Sequence, residues 1–334
     1  MSKDCEARCA AAKKTSIGGQ ALIEGVMMRG PKKTTMAVRH TSGEIVTESW
    51  DTPPVTGGVR KIPFLRGIFN FIDSMRIGYK SLMRSAELSG FEDEIKEEEK
   101  PAASEAETAE TTADAPAEKK EESSALMTGL MIVSAVLGVG LALVLFMWLP
   151  TFLYSLLKGQ WSVFDNRYLQ AVCEGVLRMI IFLAYLSLTS LMKDLRRVYM
   201  YHGAEHKTIF CYENGLPLTV ENVRAQSRFH PRCGTSFMIL MLLIGVLVSM
   251  LIPSSIGTLL RTAIKILTVP VVMGIGYEAI KLAGRHDNLF TRVISAPGLW
   301  VQRITTKEPT DDMIECAITA FSDVVPENQE EDKW

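Results

Sequence analysis

An uncharged apolar run at residues 126–149 constrains this chain more than any other feature. About 20 consecutive apolar residues cross the hydrocarbon core of a bilayer as a helix, whereas runs of 10–14 residues are typical of buried helices in soluble proteins. The preceding segment has the opposite composition, because residues 89–124 contain 13 Asp or Glu and 4 Lys. This separation argues against a purely soluble fold and predicts an α-helical integral membrane protein.

Hydropathy predicts about four transmembrane helices. They cover Thr128–Leu149, Val172–Met192, Phe237–Pro253 and Ile256–Ala283. The last two are separated only by Pro253–Ser255, which indicates a helical hairpin. Within the second span, Glu174 and Arg178 are four residues apart and can pair on one helix face.

Basic residues predict the orientation, because short cytoplasmic loops carry an excess of Lys and Arg. The loop between the second and third spans has seven, at positions 193, 196, 197, 207, 224, 228 and 232. The loop between the first two spans has only Lys158 and Arg167, and the last loop has none. We therefore expect residues 193–236 and both termini to be cytoplasmic, with reduced cysteines.

The segments outside the spans differ in character. We expect a tail at 1–15 that has no apolar region of a signal peptide, followed by a region at 16–62 with a β-hairpin formed by Thr34–His40 and Glu44–Trp50. An amphipathic helix at 63–88 and a disordered acidic linker at 89–124 should come next. The membrane helices lie within 125–192 and 237–283, and a cytoplasmic region at 284–334 includes a helix at Thr310–Val325. The helix at 63–88 either lies in the membrane interface or packs on the protein's own core.

The chemically most informative segment is His202-Gly203-Ala204-Glu205-His206 in the predicted cytoplasmic loop. We expect the second span to continue as a helix through Lys193–Tyr201 into this motif. Residues three and four apart share a helix face, so His202 and His206 can bind one metal ion and Glu205 can act as the general base. This H-x-x-E-H arrangement reverses the zincin order and points to a divalent metal, most readily Zn²⁺.

Further metal-ligand types follow along the chain. His230-Pro231-Arg232-Cys233-Gly234 begins 24 residues after His206, and imidazole and thiolate both suit Zn²⁺. Glu278 lies near the predicted cytoplasmic end of the fourth span, just before His286 and Asp287. His230, Cys233 and Glu278 are therefore alternative third ligands.

A metal is not the only interpretation of these residues. His202 and His206 can instead contact lipid phosphates or neighbouring carboxylates, and Glu205 can pair with a nearby Arg or Lys. Cys233 alone is more often a small core residue than a ligand.

The glycine-rich segment 18–31, GGQALIEGVMMRGP, also stands out. Glycine permits positive φ and close backbone approach, and an apolar run that contains one acid, Glu24, and one base, Arg29, can form a buried turn held by an ion pair. The segment has no G-K-[ST] and does not resemble a phosphate-binding loop. Both a structural role and a contribution to the metal site stay open.

Charge and cysteine content exclude two other classes. The formal net charge of −2 provides no basic excess for nucleic acid. The six cysteines do not form a dense disulfide framework.

Several long strings together resemble the bacterial YqhQ family. They are GGQALIEGVMMRGP (18–31), FLRGIFNF (64–71), YHGAEHKTIFCYENG (201–215), LTVENVR (218–224), HPRCGTSFM (230–238), GIGYEAIKLAG (274–284) and ITTKEPTDD (304–312). The resemblance covers nearly the whole chain apart from the acidic linker, and the HGAEH and HPRCG motifs carry over onto 202–206 and 230–234. It implies a multi-pass protein of the bacterial plasma membrane and a metal-dependent enzyme, without a substrate.

We therefore expect a metal-dependent hydrolase, peptidase-like, with a protein or peptide substrate and a site at the cytoplasmic face of the bilayer. A non-catalytic membrane scaffold or insertion factor with a structural metal is the alternative, and four protein ligands without an open position would favour it. A transporter is the weaker alternative, because the spans contain few acids. The oligomeric state stays open.

Overall fold

The structure is a computed structural model that describes residues 14–53, 58, 62–90, 133–158, 162–285, 289–328 and 331–332. The predicted tail and acidic linker lie almost entirely outside these residues, as do His286 and Asp287. The strands are β1 (Gly18–Leu22), β2 (Gly25–Arg29), β3 (Lys33–Arg39) and β4 (Ile45–Asp51). The helices are α1 (Leu65–Ser89), α2 (Val133–Ser155), α3 (Arg167–Thr189), α4 (Lys193–Glu213), α5 (Val220–Arg224), α6 (Gly234–Ser249), α7 (Thr258–Arg285), α8 (Leu289–Thr305) and α9 (Asp311–Val324).

The strands form an antiparallel sheet in the order β1-β2-β3-β4, so β1 is an edge strand. The predicted hairpin is confirmed as β3 and β4. Strands β1 and β2 are not evident from the sequence, because their glycines obscure the alternation that marks a strand. Leu22 pairs with Gly25 across a two-residue turn in which Glu24 has a φ of 50°.

Helices cover both faces of this sheet. On one face, the strands pack against α1 through a cluster that joins Leu22, Met27 and Met36 to Ile77, Leu82 and Leu88. On the other face, a larger core joins the strands to α4 and α9. Successive strand residues point to opposite faces, so neighbours such as Met27 and Met28 belong to different clusters.

Helix α1 corresponds to the predicted amphipathic segment, and its small side chains face inward. Gly67, Gly78 and Ser81 are buried, whereas Ile72 and Met75 are more than half exposed. The first turn of α1 contacts α7, with Arg66 Nε donating to Glu278 Oε1 at 2.6 Å. One face of α1 therefore packs on the protein, while its larger apolar side chains lie outward.

Three helices are long and apolar enough to cross a membrane, namely α2, α3 and the Thr258–Leu282 part of α7. Helix α6, at the third predicted span, is apolar but has only 16 residues. Helix α2 continues past its predicted end at Leu149 to Ser155. A π-helical turn at Val144–Trp148 precedes Pro150 and makes room for the proline ring, which would clash in a regular helix.

The described residues divide into two compact units, and the second contains those of 133–182 and 249–267. The i, i+4 spacing predicted that Arg178 and Glu174 can pair. Within the second unit, however, Arg178 does not have Glu174 as its hydrogen-bond partner. Arg178 Nε donates to the Phe146 carbonyl at 2.7 Å. Pro150, four residues after Phe146, has no N–H to donate to that carbonyl.

Glu174 instead accepts hydrogen bonds from two residues of α7. Arg261 Nε lies 3.2 Å from its carboxylate, and Lys265 Nζ donates to the other oxygen. All three side chains are buried. The acid of the second span is therefore held by two cations of another helix.

Helices α3 and α4 are separate, so the predicted continuous helix into the HGAEH motif is wrong. Helix α3 ends at Thr189, Met192 is extended, and α4 begins at Lys193. Ser187, Thr189 and Ser190 donate their hydroxyl groups to carbonyls of the preceding turn. Such bonds compete with the backbone N–H groups that would extend the helix.

Candidate metal centre

The HGAEH motif occupies the middle of α4, within the first compact unit. His202 and His206 lie one turn apart, with ring centroids separated by 4.4 Å. Between them, Gly203 allows the chain after α8 to pass directly against α4, because a Cβ at this position would overlap the Lys307 carbonyl oxygen. This close approach brings the carbonyl of Thr305 to His202.

Two backbone carbonyls orient the imidazoles. His202 Nδ1 lies 2.9 Å from Thr305 O, and His206 Nδ1 lies 2.6 Å from Arg228 O. A carbonyl can only accept, so each Nδ1 carries a proton and donates it. The Nε2 atoms are then the ligand atoms, which is the usual arrangement of metal-binding histidines.

Cys233 completes a group of three potential ligands. Its Sγ lies 3.2 Å from His202 Nε2, and the ligand atoms of His202, His206 and Cys233 all lie within 4.8 Å of one another. Zinc–ligand bonds of about 2.0–2.3 Å put the ligand atoms of a tetrahedral site roughly 3.3–3.6 Å apart. The distance between His202 Nε2 and Cys233 Sγ is close to that spacing, and the group offers donor types that zinc prefers.

The electrostatics of Cys233 favour the form that binds metals. Burial raises the pKa of its thiol, but the neighbouring His202 and His206 lower that pKa well below its ordinary value. In return, burial lowers the pKa of His202 while the Cys233 thiolate raises it, to about 9 overall. The thiolate is the form of cysteine that binds metals. A metal ion that binds here therefore displaces the proton shared by His202 and Cys233.

Glu205 lies beside the three potential ligands and is only 5% exposed. Burial raises the pKa of its carboxyl group, and the two histidines and the backbone of Gly19 counteract this shift only in part. A raised pKa makes the carboxylate a stronger base and so a better proton acceptor.

The glycine-rich segment contributes to this site through β1. A Cβ at Gly19 would lie 2.8 Å from the Met27 carbonyl oxygen and 3.0 Å from Glu205 Cδ. Only glycine therefore lets the strand approach the carboxylate so closely. Strand β1 forms one wall of the candidate site as well as one edge of the sheet.

Glu24 and Arg29 lie elsewhere in the same segment. Both carboxylate oxygens of Glu24 accept from the Arg197 guanidinium at 2.5 Å, so its ion-pair partner is on α4. Arg29 ends β2 and pairs in register with Gly18. Glu24 therefore anchors the β1–β2 turn to α4.

The structure groups Cys233 with the two histidines, and His230 and Glu278 are not part of that group. The His230 ring is nevertheless close, with its centroid 5.6 Å from that of His206. His230 Nε2 lies 3.6 Å from Glu213 Oε2, while the Gln302 side chain accepts from its backbone N–H at 2.7 Å and donates to its carbonyl at 2.8 Å. The carboxylate of Glu278 binds Arg66.

A cavity of about 390 Å³ adjoins the ligand group. Its walls are residues 17–21, one side of α4, the HPRCG segment and the beginning of α6. Glu205, His230 and Arg232 all line it. The candidate base and two potential hydrogen-bond donors therefore face one space.

Sequence reasoning missed the groups that support the ligands. Backbone carbonyls such as those of Thr305 and Arg228 carry no residue-type signal. Glu213 had one, because it lies seven residues after His206 and therefore on the same face of α4. Gln302 lies too far along the chain for spacing to reveal it.

Comparison with known proteins places no activity on this site. Residues 62–327 match a family model described as "Protein of unknown function (DUF1385)". The Bacillus subtilis (strain 168) protein named "Uncharacterized protein YqhQ" is 36% identical over 316 residues, which cover 92% of each chain. No solved structure matches. A function has to be inferred from the site itself.

Metal content separates the three ligands from the two other candidates. We expect His202→Ala, His206→Ala and Cys233→Ala to lose stoichiometric zinc, because each removes one of three protein ligands. His230→Ala and Glu278→Gln serve as controls and should keep it. Elemental analysis of the purified full chain measures this, and zinc retained by Cys233→Ala but lost by His230→Ala would contradict the ligand assignment.

Gly19 and Gly18 form a matched pair for the close approach of β1. Gly19→Ala should destabilise the protein by about 1–3 kcal/mol, because its Cβ has no room. Gly18→Ala should change stability by less than about 0.5 kcal/mol, because a Cβ there has no heavy atom within 4 Å. Thermal denaturation in detergent compares them, and equal effects would show that the strand is free to move away from Glu205.

Proposed function

We propose that this chain, which belongs to the YqhQ family, is a metal-dependent hydrolase. The observation that carries the proposal is a three-ligand group, His202, His206 and Cys233, beside the buried carboxylate of Glu205. Structural zinc sites are closed by four protein ligands, whereas catalytic sites keep one position open. Three ligands among the described residues therefore favour catalysis.

A zinc ion at this group supplies Lewis acidity, which polarises carbonyl groups and lowers the pKa of water. The protein's own residues perform the proton transfers. The Glu205 carboxylate accepts a proton from the attacking water and returns it to the leaving group. The carbonyls of Thr305 and Arg228 keep both imidazoles in the tautomer that leaves Nε2 for the ion.

Two further residues that line the cavity, His230 and Arg232, can donate hydrogen bonds to developing negative charge. Arg232 donates to Glu213 and to the Thr15 carbonyl, the latter at 2.9 Å, so its guanidinium is held in place. His230 lies next to it. Fixed hydrogen-bond donors stabilise an oxyanion better than mobile solvent does.

The two alternative functions gain less support from the structure. A closed structural site would need a fourth ligand such as His230, but the group of ligand atoms that lie together among the described residues consists of His202, His206 and Cys233. Transport through the spans would use an ionisable group that can exchange its partner. Glu174 is instead buried with Arg261 and Lys265.

We also propose that the chain crosses the plasma membrane four times, with α6 as the third span and the metal centre on the cytoplasmic side. The Lys and Arg bias of residues 193–236 supports this orientation. Helix α1 supports it too, because its exposed Ile72 and Met75 are accompanied by Arg76 and Lys80. Such a face suits the headgroup boundary of a bilayer.

Reporter fusions test this topology. Alkaline phosphatase fused after Lys158 should be active, because that loop is expected outside the cell, and green fluorescent protein fused after Arg228 should fluoresce. The reciprocal fusions, fluorescent protein after Lys158 and phosphatase after Arg228, are the controls and should be inactive. The reverse pattern would contradict the cytoplasmic position of the site.

Glu205→Gln separates catalysis from metal binding. Glutamine keeps the size of the side chain but cannot accept the proton, so we expect normal zinc content and a rate reduced by about 10²–10⁴-fold. Complementation of a deletion strain with a scorable phenotype, together with elemental analysis, measures both. Full complementation by Glu205→Gln, while His202→Ala and His206→Ala fail, would identify the metal as structural.

A further inference from the structure

The outer edge of β1 faces the cavity with unpaired backbone groups. In the β1–β2 hairpin, Leu22 pairs with Gly25 directly across the turn, so the backbone groups of Leu22, Gln20 and Gly18 point toward β2. Those of Gly19 and Ala21 therefore point away from the sheet. Both residues line the cavity beside the ligand group.

One of these outward-facing residues adjoins the candidate base. A Cβ at Gly19 would lie 3.0 Å from Glu205 Cδ. The carbonyl of Gly19 and both backbone groups of Ala21 make no hydrogen bond within the part of the chain that the structure describes. Along the edge of β1, these groups are an acceptor from Gly19, followed by a donor and an acceptor from Ala21.

Strand β1 lacks the features that normally protect a sheet edge. Edges are usually blocked by charged side chains, proline, a bulge or a covering segment, and the sequence Gly-Gly-Gln-Ala-Leu contains no charge and no proline. The single polar side chain, Gln20, packs against Gly78 of α1 on one face of the sheet. Gly18 and Gly19 leave the edge open to an incoming chain.

We propose that the substrate of this centre is an extended peptide segment that binds to the outer edge of β1 as an additional strand. This inference rests on the proposed hydrolase function and names its substrate class. The backbone of an extended peptide offers the complementary donors and acceptors at the same spacing, which is the basis of recognition by strand addition. Because Gly19 links the same edge to Glu205, a peptide bound there has its amide bonds beside the general base.

The cavity suits the side chains of such a peptide. Besides β1, its walls include Val198, Ile209 and Met238, so the space can receive an apolar side chain while the rest of the peptide follows the strand. Its volume of about 390 Å³ is near the lower end of the range for ligand pockets. That size fits one or two residues around the cleaved bond.

The chemistry balances without a further reactant. Water adds to the peptide carbonyl carbon, and Glu205 accepts one of its protons. The C–N bond then breaks with its electron pair on nitrogen, and Glu205 returns the proton to that nitrogen. One water is consumed, and a carboxylic acid and an amine are released.

Ala21→Pro tests this edge without breaking the sheet. Proline is tolerated on an edge strand where its N–H would face away from the ladder, so this variant removes one outward donor and fills the space beside it. Ala21→Ser keeps the N–H and is the matched control. The probe is a pool of synthetic decapeptides of randomised sequence, incubated with the purified, zinc-loaded full chain and analysed by mass spectrometry.

We expect wild type and Ala21→Ser to cleave members of the pool. Ala21→Pro should retain zinc and thermal stability but lose about tenfold or more in kcat/KM, mainly through KM, because backbone hydrogen bonds to the peptide are lost. Equal cleavage by Ala21→Pro and wild type would overturn the edge proposal. If the wild-type protein contains zinc but neither binds nor cleaves any decapeptide, the peptide substrate is overturned and the metal site is not. If the purified wild-type protein contains no zinc, the proposed function itself is refuted.

Backbone N-methylation of the best-cleaved peptide provides a test that leaves the protein unchanged, which decides the matter if Ala21→Pro does not fold. Only alternate residues of an added strand donate to its neighbour. Methylation of every second amide nitrogen around the cleaved bond should therefore reduce cleavage. Methylation of the amide nitrogens between them should have little effect on cleavage. Equal losses at all positions would contradict strand addition.

Discussion

The hydrogen bonds from His202 and His206 to two backbone carbonyls are the interactions on which the candidate centre depends. They fix the tautomer of each imidazole and turn both Nε2 atoms toward Cys233. The carbonyls come from different segments, one at the end of α8 and one before the HPRCG motif. Glu308 joins these segments, because it pairs with Arg228 and with Lys207 of α4. Gly203 then provides the space that lets the first segment reach the helix.

The sheet has a second role beyond covering α4. Its faces are occupied by α1 on one side and by α4 with α9 on the other, which leaves the edge of β1 as the open boundary of the cavity. Gly19 connects the two roles, since it permits tight packing and brings the edge of the strand beside the Glu205 carboxylate. A substrate that binds along this edge would be positioned by the strand that borders the base.

The sequence predicted the parts of this structure that repeat with a regular period. Three of the four apolar runs form helices of membrane length. The alternation around Thr41-Ser42-Gly43 predicted the β3–β4 hairpin, and the i, i+4 spacing predicted the His202–His206 pair. It did not predict the break before Lys193, where Ser and Thr hydroxyl groups compete with the helix, or β1 and β2, where glycines hide the alternation. It left the third ligand open, because contacts between distant segments are decided by tertiary packing. Cys233 and His230 have equally suitable chemistry, and only the structure separates them.

The proposed metal centre requires that His202, His206 and Cys233 hold one metal ion with an open position. X-ray absorption spectroscopy at the zinc edge, carried out on the purified full chain, reports these ligands. We expect stoichiometric zinc with two nitrogen ligands at about 2.0–2.1 Å, one sulfur at about 2.3 Å and one further light atom from solvent. A zinc environment without sulfur, or with two or more sulfurs, would contradict it, as would a protein that retains no zinc.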